Sequence, residues 1–134
     1  MSGVLILRKV MLSVSGITDF VPATRLVAGD LPINVVFPAI SLTDISSSGD
    51  SRVSGSTMDV IETERVQVYL FAKTFAELKG LTKVVRRSVP LSKGVAYDGC
   101  VCQSVSYGGT GPYMRDLAYD LHMQSIDYMV TYKE

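Results

Sequence analysis

The chain has no tryptophan, two cysteines, one histidine and no net charge, its 13 Lys and Arg being balanced by 13 Asp and Glu. Each shortage closes a class of function. Charge balance removes the field that would draw a protein to nucleic acid or an anionic membrane, so any partner must be selected by local chemistry. Cys100 and Cys102 stand two apart in a strand-like run. That spacing puts both on one face with Cα atoms roughly 6.5–7 Å apart, at or beyond a disulfide's reach, so they read as reduced thiols. A closed zinc site wants four ligands, and His122 is the only histidine to add to the two thiols, so no metal is expected. The N-terminal run MSGVLILRKVMLSVSG is broken by Arg8 and Lys9, is followed by no clean small-residue cleavage site, and at about 12 residues is too short to span a bilayer. No membrane partner is expected.

Against these shortages, 47% of the 134 residues are hydrophobic, too many for a disordered chain, and the length suits one domain with a substantial core. At helical spacing Val4, Leu7, Val10, Met11 and Val14 form one stripe, with Gly16 as a stop, which predicts a first amphipathic helix. Leu5 and Leu12 fall outside the stripe, either facing a partner subunit or simply exposed. Two short β-like runs follow, at 24–28 and 39–46, separated by Pro32 and Pro38, residues that belong at edges and turns. Residues 46–58, SSSGDSRVSGSTM, hold six Ser and two Gly and read as a mobile loop, passive or ordered by a partner.

The middle of the chain is the most legible part. Val66, Val68 and Leu70 alternate with Arg65, Gln67, Tyr69 and Phe71, which predicts a strand with the aliphatic set facing the core. At Thr74 the period changes to 3.6. Phe75, Leu78, Leu81, Val85 and Val89 share one side of a helix, and Lys79, Lys83, Arg86 and Arg87 share the other. Thr74 with Glu77 three residues later is a capping box, and Pro90 and Gly94 end the helix. The four cations read as a solvated face, because the chain is neutral and no aromatic interleaves with them in sequence. No DNA binding is expected near physiological salt.

Two further strands are expected at 100–107 and 118–132, joined by the loop SYGGTGPYMRD. Gly108, Gly109 and Gly111 match no phosphate-binding signature, and a loop between antiparallel strands explains them. The fold class is therefore α+β, a mixed and mainly antiparallel sheet of about five strands with two helices packed on one face.

Catalytic patterns are absent: there is no G-x-S-x-G elbow and no H-E-x-x-H helix. His122 is the single histidine on which a triad could rest, and nothing near it in sequence supplies a nucleophile. Glu62 and Glu64 share a strand face, as paired carboxylates for acid–base work would, but solubility of an edge strand accounts for them. An enzyme reading survives only as a small cytosolic homo-oligomer with an inter-subunit site built from His122, Asp120 or Cys100.

The order of features also resembles a known family. A short N-terminal helix, RLVAGDLP followed by FPAISLTDIS, a Ser/Gly loop, VQVYLFAKTFAELKGLTKVVRR, a Gly-rich loop and a closing IDYMVTY strand are similar, over nearly the whole chain, to the tail-completion proteins of long-tailed bacteriophages. That family includes tail terminators and tail-to-head joining proteins. The resemblance implies a non-enzymatic virion protein without cofactors, assembled in the host cytoplasm. It implies a ring, usually of six subunits, at the head-proximal end of the tail. Such a ring stops tail-tube polymerisation, meets the tail-tube protein and the head connector, and lets genomic DNA through its lumen without sequence-specific binding. Under it, Leu5, Leu12, Tyr69, Phe71, Lys79, Lys83, Arg86 and Arg87 are subunit-interface candidates. Ser48, Arg52, Met58, Tyr107, Tyr113 and Arg115, in the loops at 46–58 and 107–116, are candidates for contact with the tube or connector.

Overall fold

A computed structural model of the chain describes residues 2–32, 34–50, 61–88, 96–97 and 100–133. The helices are α1 (Ser2–Leu12), α2 (Ser15–Thr18) and α3 (Phe75–Ser88), with a single 3-10 turn at Ala23–Arg25. The strands are β1 (Leu26–Ala28), β2 (Ala39–Asp50), β3 (Ile61–Ala72), β4 (Ala96–Tyr97), β5 (Cys100–Thr110), β6 (Met114–Asp116) and β7 (Leu121–Lys133). They form one sheet in the order β1-β2-β3-β7-β5-β4, with β6 also pairing β7 and every pairing antiparallel except β1 with β2. The α+β class is as expected, but the sheet has seven strands rather than about five. The two additions, β4 and β6, are two and three residues long, too short to show a period of two.

The period-two reading of β3 holds. Val66, Val68, Leu70 and Ala72 are fully buried and meet Ile40 and Leu42 of β2 and Ile126, Tyr128, Val130 and Tyr132 of β7 in one core. Among the described residues, helices cover this face alone. From α1 come Val4, Ile6, Leu7 and Met11, from α2 Ile17, and from α3 Leu78, Leu81 and Val85. Burial of each such aliphatic side chain contributes about 1.5–3 kcal/mol relative to leaving it in water. The capping box also forms: the Glu77 amide donates to Thr74 Oγ1 at 3.1 Å, and Glu77 Oε1 accepts from the Lys73 amide at 3.4 Å.

Several expectations need correction. Gly16 does not stop the first helix: α1 ends at Leu12, the chain turns through Ser13 and Val14, and Gly16 lies within α2. Residues 46–50, read as loop, continue β2 and pair with residues 61–65, because a strand needs only a partner ladder and not an apolar sequence. Phe75 is 48% exposed instead of joining the core, and its ring meets those of Tyr113 and His122. Residues 107–110 and 114–116, read as loop, are strand, and β7 starts at Leu121 rather than Ala118. Val89, Pro90, Gly94, Arg52 and Met58 lie outside the described residues.

The carboxylates of Glu62 and Glu64 are the largest correction. β3 is central, not an edge, and Glu64 is fully buried. Its Oε2 accepts the Gly3 amide at 3.1 Å and the Tyr132 hydroxyl at 3.3 Å, while Glu62 Oε2 accepts the same hydroxyl at 2.7 Å. The first turn of α1 has no acidic residue of its own, so Glu64 supplies from the sheet the negative charge that a helix N-terminus favours. The approach is close: a Cβ on Gly3 would stand 2.9 Å from the Glu64 carboxyl carbon, so this position has room only for glycine.

Candidate interaction surfaces

Two surfaces remain once the helix side of the sheet is filled. The first is the opposite face. Thr63, Arg65, Gln67, Tyr69 and Phe71 of β3 point there and are half-buried, although no helix lies over them among the described residues. Arg65 Nη2 donates to Asp127 Oδ2 of β7 at 2.7 Å at its middle. Towards one end the face turns apolar. Tyr69 stacks on Phe71 with ring centroids 6.1 Å apart, and Phe71 meets Phe37 at 6.2 Å. Two shallow clefts of about 550 and 340 Å³ share Leu31 and Phe71, the first reaching Phe37, Tyr119 and Leu121 and the second Tyr69, Met114 and Met123. Tyr69 and Phe71 thus lie at the apolar end of the face that no described helix covers. The residues around them were missed because they sit in loops and a three-residue strand, where no period marks an apolar surface.

The second surface is a groove of about 610 Å³ between α3 and β5. Lys79, Lys83, Arg86 and Arg87 line it together with Thr82, Tyr107, Thr110 and Gln124, and no acidic side chain does so among the described residues. No aromatic interleaves with these cations in sequence, but the fold brings Tyr107 and Tyr113 to them from other elements and Phe75 from the first turn of α3 itself. The Arg86 guanidinium lies 4.6 Å from the Tyr107 ring centroid, and Lys79 Nζ lies 5.1 and 5.8 Å from the rings of Phe75 and Tyr113. Lys79 Nζ also donates to Gln124 Oε1 at 3.0 Å. Tyr107 hydrogen-bonds Thr110 through the two hydroxyls, and its ring packs edge-on against the buried Tyr128. The Tyr128 hydroxyl donates to the Val85 carbonyl at 3.3 Å, and burial holds its acidity well below that of a free tyrosine.

The remaining candidates are scattered. Leu5 is half-buried and lines a separate pocket of about 280 Å³ with Val4, Leu42 and Asp44, while Leu12 packs against the main core. Ser48 lies in β2 opposite Thr63. Tyr113 follows β5, and its hydroxyl bonds His122 Nδ1 at 2.5 Å. Arg115 of β6 donates to Asp120 Oδ1 at 2.6 Å, and this hydrogen bond holds the exposed Asp120 carboxyl below its ordinary range. Two of the three residues of the enzyme reading, His122 and Asp120, are therefore engaged with separate partners, and the side chain of Cys100 lies outside the described residues. Cys102 is buried and free, and burial pushes its thiol up, away from the reactive thiolate. Among the described residues no group of three His, Cys, Asp or Glu could hold a metal ion, and no helix is long and apolar enough to cross a membrane.

No family model matches the chain, and no curated protein matches it in sequence. Its fold is similar to that of a chain in the solved structure described as the virion of a native gene transfer agent (GTA) particle. The two superpose with a TM-score of 0.75 over 99% of this chain and 97% of that one, at 11% sequence identity. At that identity the likeness is one of fold.

Proposed function

We propose that the chain is a structural virion protein of a phage-like particle, one domain that forms a six-fold ring, in keeping with the family it resembles, at the head-proximal end of a tail. There it ends tail-tube growth and joins tail to head, with DNA passing through without sequence readout. The observation that carries this reading is the end-to-end likeness to a chain of a gene transfer agent virion, with almost nothing left over in either chain. The order of sequence features supports it independently. So does the division of the molecule into a filled helix side and two unfilled surfaces, since a cyclic ring needs two different patches on each subunit.

Solution mass together with negative-stain imaging tests the proposal. Rings, alone or capping tail tubes, are the expected result. A monomer at micromolar concentration that forms no rings with or without tail tubes would overturn it.

A further inference from the structure

The groove between α3 and β5 holds more positive charge than its surroundings answer. Lys79 is held by Gln124, but Lys83, Arg86 and Arg87 have no acidic partner among the described residues. Cations crowded within two turns of one helix repel each other. Arg65 and Arg115 are each paired with a carboxylate, Asp127 and Asp120, and Arg8 donates to the carbonyls of Leu26 and Ala23, so a row of three cations without an acidic partner concentrates charge at this place.

A second observation lies beside the groove, on β5, whose Tyr107 and Thr110 line it. β4 pairs only with Cys100 and Val101, and β6 pairs with β7, so no described strand covers the outer edge of β5 beyond Val101. Irregularities between Cys102 and Ser104 and between Tyr107 and Gly109 leave one regular stretch on that edge, Ser104–Tyr107. An extended protein segment laid there would make main-chain hydrogen bonds, and its alternate side chains would project towards the cations of α3.

We propose that this groove docks a short, extended, acidic segment of a partner protein. The volume of about 610 Å³ admits only a few residues, consistent with the short free edge. A nucleic-acid backbone could use the cations but not the strand edge, and the protein segment uses both. The inference rests on the proposed role in assembly only in supposing that such a partner exists.

The test is binding of a labelled ten-residue glutamate-rich peptide to the whole chain by fluorescence anisotropy, with a lysine-rich peptide and a duplex DNA as further arms. The glutamate peptide should bind, weaken as salt rises, and slow amide exchange at Ser104–Tyr107. The double substitution Lys83→Glu with Arg86→Glu should weaken it by about tenfold or more, while Lys83→Arg with Arg86→Lys should stay within about threefold. Arg86→Gln with Arg87→Gln, which adds no negative charge, serves as a second variant if the reversal disturbs folding. No binding at low salt, binding indifferent to both charge-removing variants, or unchanged exchange at Ser104–Tyr107 would each overturn the proposal. Tighter binding of the duplex with the same sensitivity would assign the groove to nucleic acid instead. Mass measured on the same samples keeps the outcomes apart: a monomer that binds the peptide sinks the ring and leaves the groove standing.

Discussion

One strand shows the two halves of this molecule side by side. On β3, Glu64, Val66, Val68, Leu70 and Ala72 are buried under the helices, whereas Thr63, Arg65, Gln67, Tyr69 and Phe71 lie half-buried on a face that no described helix covers. The two sets are interleaved residue by residue on the same backbone. The difference teaches that the residues filling the core and those left uncovered are separated here by the direction of a side chain, not by distance along the chain. Substitutions on one face should unfold the protein, and substitutions on the other should leave a folded protein that no longer assembles.

The largest effect is expected from Leu70→Ala, which leaves a cavity beneath the helices and should cost about 2–5 kcal/mol in urea unfolding. Next comes Glu64→Leu, which removes the acceptor of the Gly3 amide and one of the two carboxylates that accept from the Tyr132 hydroxyl. About 1–3 kcal/mol should be lost, and amide exchange should quicken in the first turn of α1 before other helices respond. A resulting gain in stability would show that the buried carboxylate is a burden the fold tolerates.

Alkaline titration addresses the helix side again. Burial raises the pKa of Tyr128 and Tyr132 above the ordinary 10.0, and for Tyr132 the hydrogen bond to Glu62 and the charges of Glu64 and Glu62 add to it. The unfolded chain then loses these protons at a lower pH than the native one. Their contribution is complete below pH 10 and declines as pH rises beyond it, and Tyr132→Phe should flatten that decline in chemical denaturation measured at several pH values.

On the other face, Phe71→Ser should shift stability by less than about 1.5 kcal/mol, because the ring is only half-buried, while reducing ring formation seen by solution mass. A collapse in stability as large as that of Leu70→Ala would erase the distinction between the faces. The smallest effect belongs to His122→Ala. It removes one hydrogen bond at the surface and should leave both the melting temperature and assembly nearly unchanged, whereas an inter-subunit enzyme would lose its activity.

The legible parts of the fold were those with long periods. Val66 to Leu70 and Leu78 to Val85 announced a strand and a helix because many residues repeat one spacing, and Thr74 with Glu77 marked the join between them. Residues 46–50 hid because their serines carry no pattern, although the ladder to β3 makes them strand. Periodicity put Tyr69 and Phe71 on the outward face of β3 and the four cations on one side of α3, and the family resemblance made them interface candidates. Phe37, Met114 and Tyr119 could not be named, since nothing local says that a loop and a short strand close on the same patch.

The sequence by itself determined the class of the fold, the inward and outward sets of β3 and the cations on the outer side of α3, because these follow from periods of 2.0 and 3.6 residues. Tertiary structure alone decided the rest. It placed β3 at the centre of the sheet, so that Glu64 caps α1 from 61 residues away instead of serving an edge. It also laid Tyr107 under Arg86, turning an ordinary solvated helix face into the wall of a groove. Both depend on which strands pair across long loops, and local spacing carries no information about that choice.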